Sequence, residues 1–177
     1  MDERLSPLPP GTAAPAFTLP RSPHASVTLA DLRGRRGILA FHPADWEPVS
    51  LEQLVLYQDY LAQFAKLGGT LIAVSTDHVW SHAAFARAAG IDYPLLADAH
   101  PQGAVSRAYG VYDEKAGACA RSLFVIDERG VIRWSQTYPA GVNPGVDGIL
   151  TALEAMGPME DATERKREGM EAAQEER

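Results

Sequence analysis

One cysteine, Cys119, is all the sulfur chemistry that this 177-residue chain can draw on besides four methionines. A single thiol forbids an intramolecular disulfide, a CxxC redox motif and a cysteine-rich metal site. No apolar run reaches the ~18 residues that a membrane span needs, and the first eleven residues are polar and proline-rich, without the apolar centre of a signal peptide. Basic residues are also in deficit. Sixteen Lys and Arg against 23 Asp and Glu leave a net charge of -7 at pH 7, so the overall field repels nucleic acid and anionic membrane, and neither is an expected partner. These absences suit a reducing compartment, and the chain is read as cytoplasmic.

What is present is ordinary globular material, with 46% hydrophobic and 22% charged residues. One domain is expected over residues 1–157. Beyond it, residues 158–177 carry seven acidic and four basic side chains and almost nothing large and apolar, which reads as a charged tail, disordered or loosely helical.

Short apolar patches around Phe17 to Leu19 and Val27 to Leu29 predict two edge strands. Gly37 to Phe41 predicts a buried strand ending at Pro43. From Val49 to Lys66 apolar residues recur at three- and four-residue spacing, which predicts a long helix stopped at Gly68 and Gly69. A buried strand at Leu71 to Val74, a helix from Val79 to Ala88 with a Gly90 stop, and a short run at Tyr93 to Ala97 continue the alternation. One or two helical turns follow at Gly103 to Tyr109. Arg121 to Ile126 and Val131 to Tyr138 predict a hairpin through Asp127-Glu128-Arg129-Gly130, and Asn143 to Met156 a closing helix. The order implies an α/β fold with a central mixed sheet and helices on both faces.

The stretch Phe41-His42-Pro43-Ala44-Asp45-Trp46-Glu47-Pro48-Val49-Ser50 resembles the active-site loop of peroxiredoxins of the alkyl hydroperoxide reductase C and thiol-specific antioxidant type. That loop reads Pro, three residues, Thr, two residues, Cys. The resemblance extends in order through Gly11 to Leu19, Leu29 to Gly34, Ile72 to Asp77, Tyr93 to Asp98, Ala108 to Val111 and Arg121 to Asp127, covering about residues 9 to 155. It implies a thioredoxin-like three-layer α/β/α peroxiredoxin fold, thiol-dependent reduction of hydroperoxides, self-association, and no cofactor or metal.

Carried across residue by residue, Pro43 keeps its place and Arg121 matches the arginine that approaches the peroxide-attacking thiolate. Ser50 stands where that cysteine belongs, and Glu47 where the peroxide-orienting threonine belongs. A hydroxyl ionises far above a thiol at ~8.5 and lacks its soft nucleophilicity, so the peroxidatic step is not expected at Ser50, and hydroperoxide is a substrate only if the cysteine is restored. Glu47 is expected to pair with Arg121. Val79-Trp80-Ser81-His82 resembles a Val-Trp-Cys-His context that carries a resolving cysteine in some relatives, which makes Ser81 a second serine at a redox position. Paired Cys-to-Ser changes are also what an engineered variant carries; Glu47 and the natural-looking tail favour a native degenerate sequence.

Other residues carry competing readings. Cys119, two residues before Arg121, would share a strand face with it and could be a relocated redox thiol, although a structural cysteine is the plainer reading. Ser50, His42 and Glu47 supply the side-chain types of a hydrolase triad, without a Gly-x-Ser-x-Gly elbow. His78 and His82 have the i, i+4 spacing of metal ligands but read as a solvated surface pair, and Trp46, Trp80 and Trp134 read as packing residues. A non-catalytic partner, forming homodimers or mixed oligomers with active peroxiredoxins, fits Ser50 best.

Overall fold

The central strand of the molecule is β3, Arg36–Phe41, whose six residues are all buried because both faces of the sheet are covered. A computed structural model describes residues 5–159. Before β3 come β1 (Thr18–Ser22) and β2 (Ala25–Thr28), an antiparallel hairpin, and a 3-10 turn at Leu29–Leu32. After it follow α1 (Pro48–Lys66), β4 (Gly69–Ser75), α2 (Val79–Ala89), β5 (Leu95–Ala97) and α3 (Ala104–Ala108). A two-residue pair, β6 (Tyr112–Asp113) with β7 (Ala118–Cys119), leads into β8 (Ser122–Ile126), β9 (Ile132–Thr137) and α4 (Asp147–Ala155).

Five strands form one sheet in the order β5-β4-β3-β8-β9. β3, β4 and β5 run parallel, joined through the crossover helices α1 and α2, whereas β8 and β9 are antiparallel, joined by the short turn expected from Asp127 to Gly130. Alternation along β3 divides the core. Ile38 and Ala40 face one layer, with Leu54, Tyr57 and Phe64 of α1, Phe85 of α2, and Ile149 and Leu153 of α4. Leu39 and Phe41 face the other, with Phe17, Leu19, Leu32, Tyr109, Val111, Phe124 and Ile132. Three helices therefore cover one face; the second is covered by the amino-terminal hairpin, α3 and the β6–β7 pair.

The expected elements are present with shifted ends. α1 begins at Pro48 rather than Val49, because proline suits a first helical position where no N–H is needed. α4 begins at Asp147 rather than Asn143: Asn143 Oδ1 accepts from the Gly145 N–H in a turn, and Gly145 has φ +66°, outside helical range. From residue 160 onward the tail expected from the sequence lies outside the described residues.

Candidate functional site

The parallel strands β3 and β4 end side by side, and the loop leaving β3 carries most of the residues singled out in the sequence. His42 N–H continues the ladder by donating to Val74 O at 3.0 Å, and the chain then turns through Pro43 to Glu47 into α1. Glu47 is the residue before the first helical turn. Its carboxylate accepts from the N–H of Val49 at 3.0 Å and of Ser50 at 2.8 Å, so two of the unpaired donors of the helix are satisfied by a charged cap.

Ser50 is wholly buried in that first turn. Its Oγ donates to Glu47 Oε2 at 2.8 Å and accepts from Arg121 Nη1 at 3.2 Å. Arg121, immediately before β8, is 1% exposed. Its Nη2 reaches Glu47 Oε2 at 2.7 Å and Ala140 O at 2.8 Å, its Nη1 also reaches Gln53 Oε1 at 2.7 Å, and its Nε donates to Ala140 O at 3.1 Å. A guanidinium has five N–H donors, and each has an acceptor here. Gln53, which the sequence reading did not single out, passes the network on to Tyr57 through Nε2 at 3.1 Å from the phenol oxygen. Burial pushes the Tyr57 phenol up, so it stays protonated. Burial also works against the Glu47 carboxylate, but the Val49 N–H, Arg121 and Ser50 outweigh it and hold the group down at about 2. Pro43 is half-buried one residue beyond His42.

A second polar cluster lies beside the first. Asp45, fully buried, accepts from His42 Nε2 at 2.9 Å on Oδ1 and from His82 Nδ1 at 2.7 Å on Oδ2. Ser81 Oγ is 3.3 Å from the same Oδ2, and the Asp45 N–H donates to Asp77 Oδ2 at 3.0 Å. Burial alone would raise the Asp45 carboxyl; the two imidazoles reverse this and hold it well below the usual carboxylate range. The outer ring nitrogens, His42 Nδ1 and His82 Nε2, are buried without a hydrogen-bond partner among the described residues.

Several expectations change against this geometry. His42 is turned to Asp45, while Ser50 bonds Glu47 and Arg121, so no imidazole activates the serine and the hydrolase triad is not assembled. His78 is exposed before α2, but His82, one turn further, is 2% exposed and bonded to Asp45; the two are not a solvated pair. Trp80 is 71% and Trp46 57% exposed, so neither is a core packing residue, although Trp46 sets its ring edge-on to Phe85 at 5.2 Å. Trp134 is half-buried against the α1-side core. Cys119 does not share a strand with Arg121. It belongs to β7, the chain leaves that pair at Ala120, whose N–H donates to Val111 O, and β8 starts only at Ser122. The Cys119 thiol packs in the opposite layer, 2% exposed and 2.9 Å from Ser106 Oγ, and burial pushes it up to about 12. A reactive thiol needs the reverse shift.

The mixed five-stranded sheet with parallel crossovers and an antiparallel edge defines a thioredoxin-like α/β protein, and comparison with solved structures places it further. The crystal structure of Enterococcus faecalis AhpC superposes with a TM-score of 0.76 at 28% identity, covering 83% of this chain and 91% of that one. The reduced 2-Cys peroxiredoxin of Plasmodium vivax has the same fold at a TM-score of 0.76 and 23% identity, covering 85% and 82%. Residues 10–135 match the AhpC/TSA family. A peroxiredoxin of Thermoplasma volcanium is 36% identical over 152 residues, covering 82% of this chain and 73% of its relative. Alkyl hydroperoxide reductase E of Mycobacterium tuberculosis is 36% identical over 132 residues, 74% and 86% of the two chains. The chain belongs to the AhpC/TSA family, the peroxiredoxins.

Proposed function

We propose that this chain is a peroxiredoxin-family protein whose peroxide site has been closed by its own side chains, and that it acts by binding rather than by turnover. The observation that supports this most directly is the full occupation of Arg121. In a site of this kind the guanidinium and the first-turn N–H groups are the donors available to an attacking anion and its peroxide. Here Glu47 Oε2 takes the Ser50 N–H, the Ser50 hydroxyl and one Arg121 N–H together. Ser50 adds a second obstacle, since its hydroxyl does not ionise near neutrality and oxygen is a poor nucleophile towards peroxide oxygen. In this reading Ser50, Pro43, Glu47, Arg121 and Ser81 occupy the positions of a degenerate redox site.

The exposed rings of Trp46, in the site loop, and Trp80, in the first turn of α2, support a binding role as a homodimer or a mixed oligomer with active relatives. The single buried thiol fits a cytoplasmic setting, and among the described residues no helix is long and apolar enough to cross a membrane. Peroxide consumption tests the closed site. The Cys119→Ala protein, with Ser50 retained, is expected to be inert, and Ser50→Cys alone to stay slow, because the Glu47 carboxylate would oppose thiolate formation. Ser50→Cys with Glu47→Thr is expected to recover turnover. Enzymatic consumption of hydrogen peroxide by the Cys119→Ala protein would overturn the reading.

A further inference from the structure

We propose that His42, Asp45 and Asp77 form a binding site for one divalent transition-metal ion, with His82 and Ser81 holding the Asp45 carboxylate from behind. One ligand atom from each of His42, Asp45 and Asp77 lies within 4.8 Å of the others, and two of the three residues are fully buried. The place is where α/β sheets commonly receive ligands. His42 follows the last residue of β3, Asp77 stands two residues beyond the end of β4, and these are the carboxyl ends of adjacent parallel strands.

The two oxygens of Asp45 are wired differently. Oδ2 accepts from His82 Nδ1 and Ser81 Oγ, whereas Oδ1 meets only His42 Nε2. Asp77 is similar: its Oδ2 takes the Asp45 N–H and the Ser75 hydroxyl, and no hydrogen bond from the described residues reaches Oδ1. Each carboxylate is thus fixed through one oxygen and offers the other, the arrangement by which outer hydrogen bonds orient metal ligands. Two carboxylates neutralise a divalent charge, and the imidazole favours a first-row transition metal over magnesium or calcium. Binding at His42 Nε2 leaves the ring proton on Nδ1, which is buried without a hydrogen-bond partner among the described residues, so a bound ion has to offset one unpaired donor. Asp77, half-exposed, is the side from which an ion enters and where water completes the coordination.

Equilibrium dialysis of the tag-free full chain against Zn2+ tests the proposal. One ion per chain is expected, with a raised thermal midpoint. Asp77→Asn, a half-exposed substitution, should weaken binding at least roughly tenfold and remove the thermal shift. His78→Ala, at the neighbouring exposed imidazole, should change neither. Nitrogen-detected imidazole spectra of the wild type should show Zn2+ moving the His42 ring resonances and leaving those of the exposed His100 in place, a readout that survives if a variant fails to fold. No saturable binding below ~100 µM free Zn2+, binding unchanged by Asp77→Asn, loss of binding in His78→Ala, or a spectrum in which His42 stays unmoved would each overturn the site.

Discussion

Glu47 shows how one carboxylate partners a buried arginine. Without Glu47, a guanidinium that is 1% exposed would be an uncompensated buried charge, and leaving such a charge unpaired is among the most destabilising changes a core can suffer. The carboxylate at position 47 supplies the anion and caps α1 as well. Its pH dependence follows from the sign of its shift. A folded value of about 2, below the ordinary 4.5, contributes stability that is fully present above 4.5 and lost as the pH falls from there towards 2. Glu47→Gln is therefore expected to lose about 1–2 kcal/mol at neutral pH, a figure reduced for the 34% exposure of the Glu47 side chain. Urea unfolding of both proteins at pH 7, 4 and 3 checks this: the gap between the two curves should narrow steadily with acid, and a constant gap would mean that the charge contributes nothing.

At the scale of elements, Arg36 has a comparable task that is purely structural. Its Nη1 donates to Leu67 O and Leu153 O, each at 3.1 Å, and its Nη2 to Met156 O at 3.4 Å and Gly157 O at 2.7 Å, so one side chain in β3 binds carbonyls at the ends of both α1 and α4. Its Nε completes the set on Glu128 Oε1 at 3.0 Å. A lysine has three donors on one atom and cannot span these acceptors. Arg36→Lys is expected to cost about 2–4 kcal/mol in urea unfolding and to speed hydrogen exchange in the last turn of α4. Arg107→Lys, in an exposed pair with Glu114, should leave the unfolding curve close to that of the wild type.

Elements with a strong period were legible in the sequence: the α1 stripe, the apolar runs of β3 and β4, the β8–β9 hairpin. β6 and β7 were not, because strands of two residues have no period to detect. The same limit applies at the site. Glu47 and Ser50 are three residues apart, so their contact could be anticipated, and Pro48 after an acidic residue was an unused sign of a charged helix cap. His82 with Asp45, 37 positions apart, and Gln53 with Arg121, 68 apart, meet only because β3, β4 and β8 are neighbours in the sheet. No spacing rule encodes such contacts.

Taken as a whole, the molecule has two apolar layers separated by its sheet, and its one thiol lies deep in the layer opposite the polar site. Cys119 touches Ser106, whose hydroxyl is committed to Asp98 Oδ2 at 2.7 Å, and Tyr109, Phe124 and Ile132 belong to the same layer. No local loop movement is expected to bare a sulfur so enclosed; reagents reach it when this layer opens, which for a core position approaches global unfolding. The thiolate is also suppressed, since burial pushes its ionisation up to about 12. Native protein at pH 8 is therefore expected to react with an aromatic disulfide reagent at least roughly a thousandfold more slowly than unfolded protein, the margin set by ordinary folding equilibria. The rate should climb with urea along the same curve as loss of tertiary structure. A thiol that titrates fully in native buffer as fast as in denaturant would place the sulfur at the surface, and would return Cys119 to consideration as a redox centre.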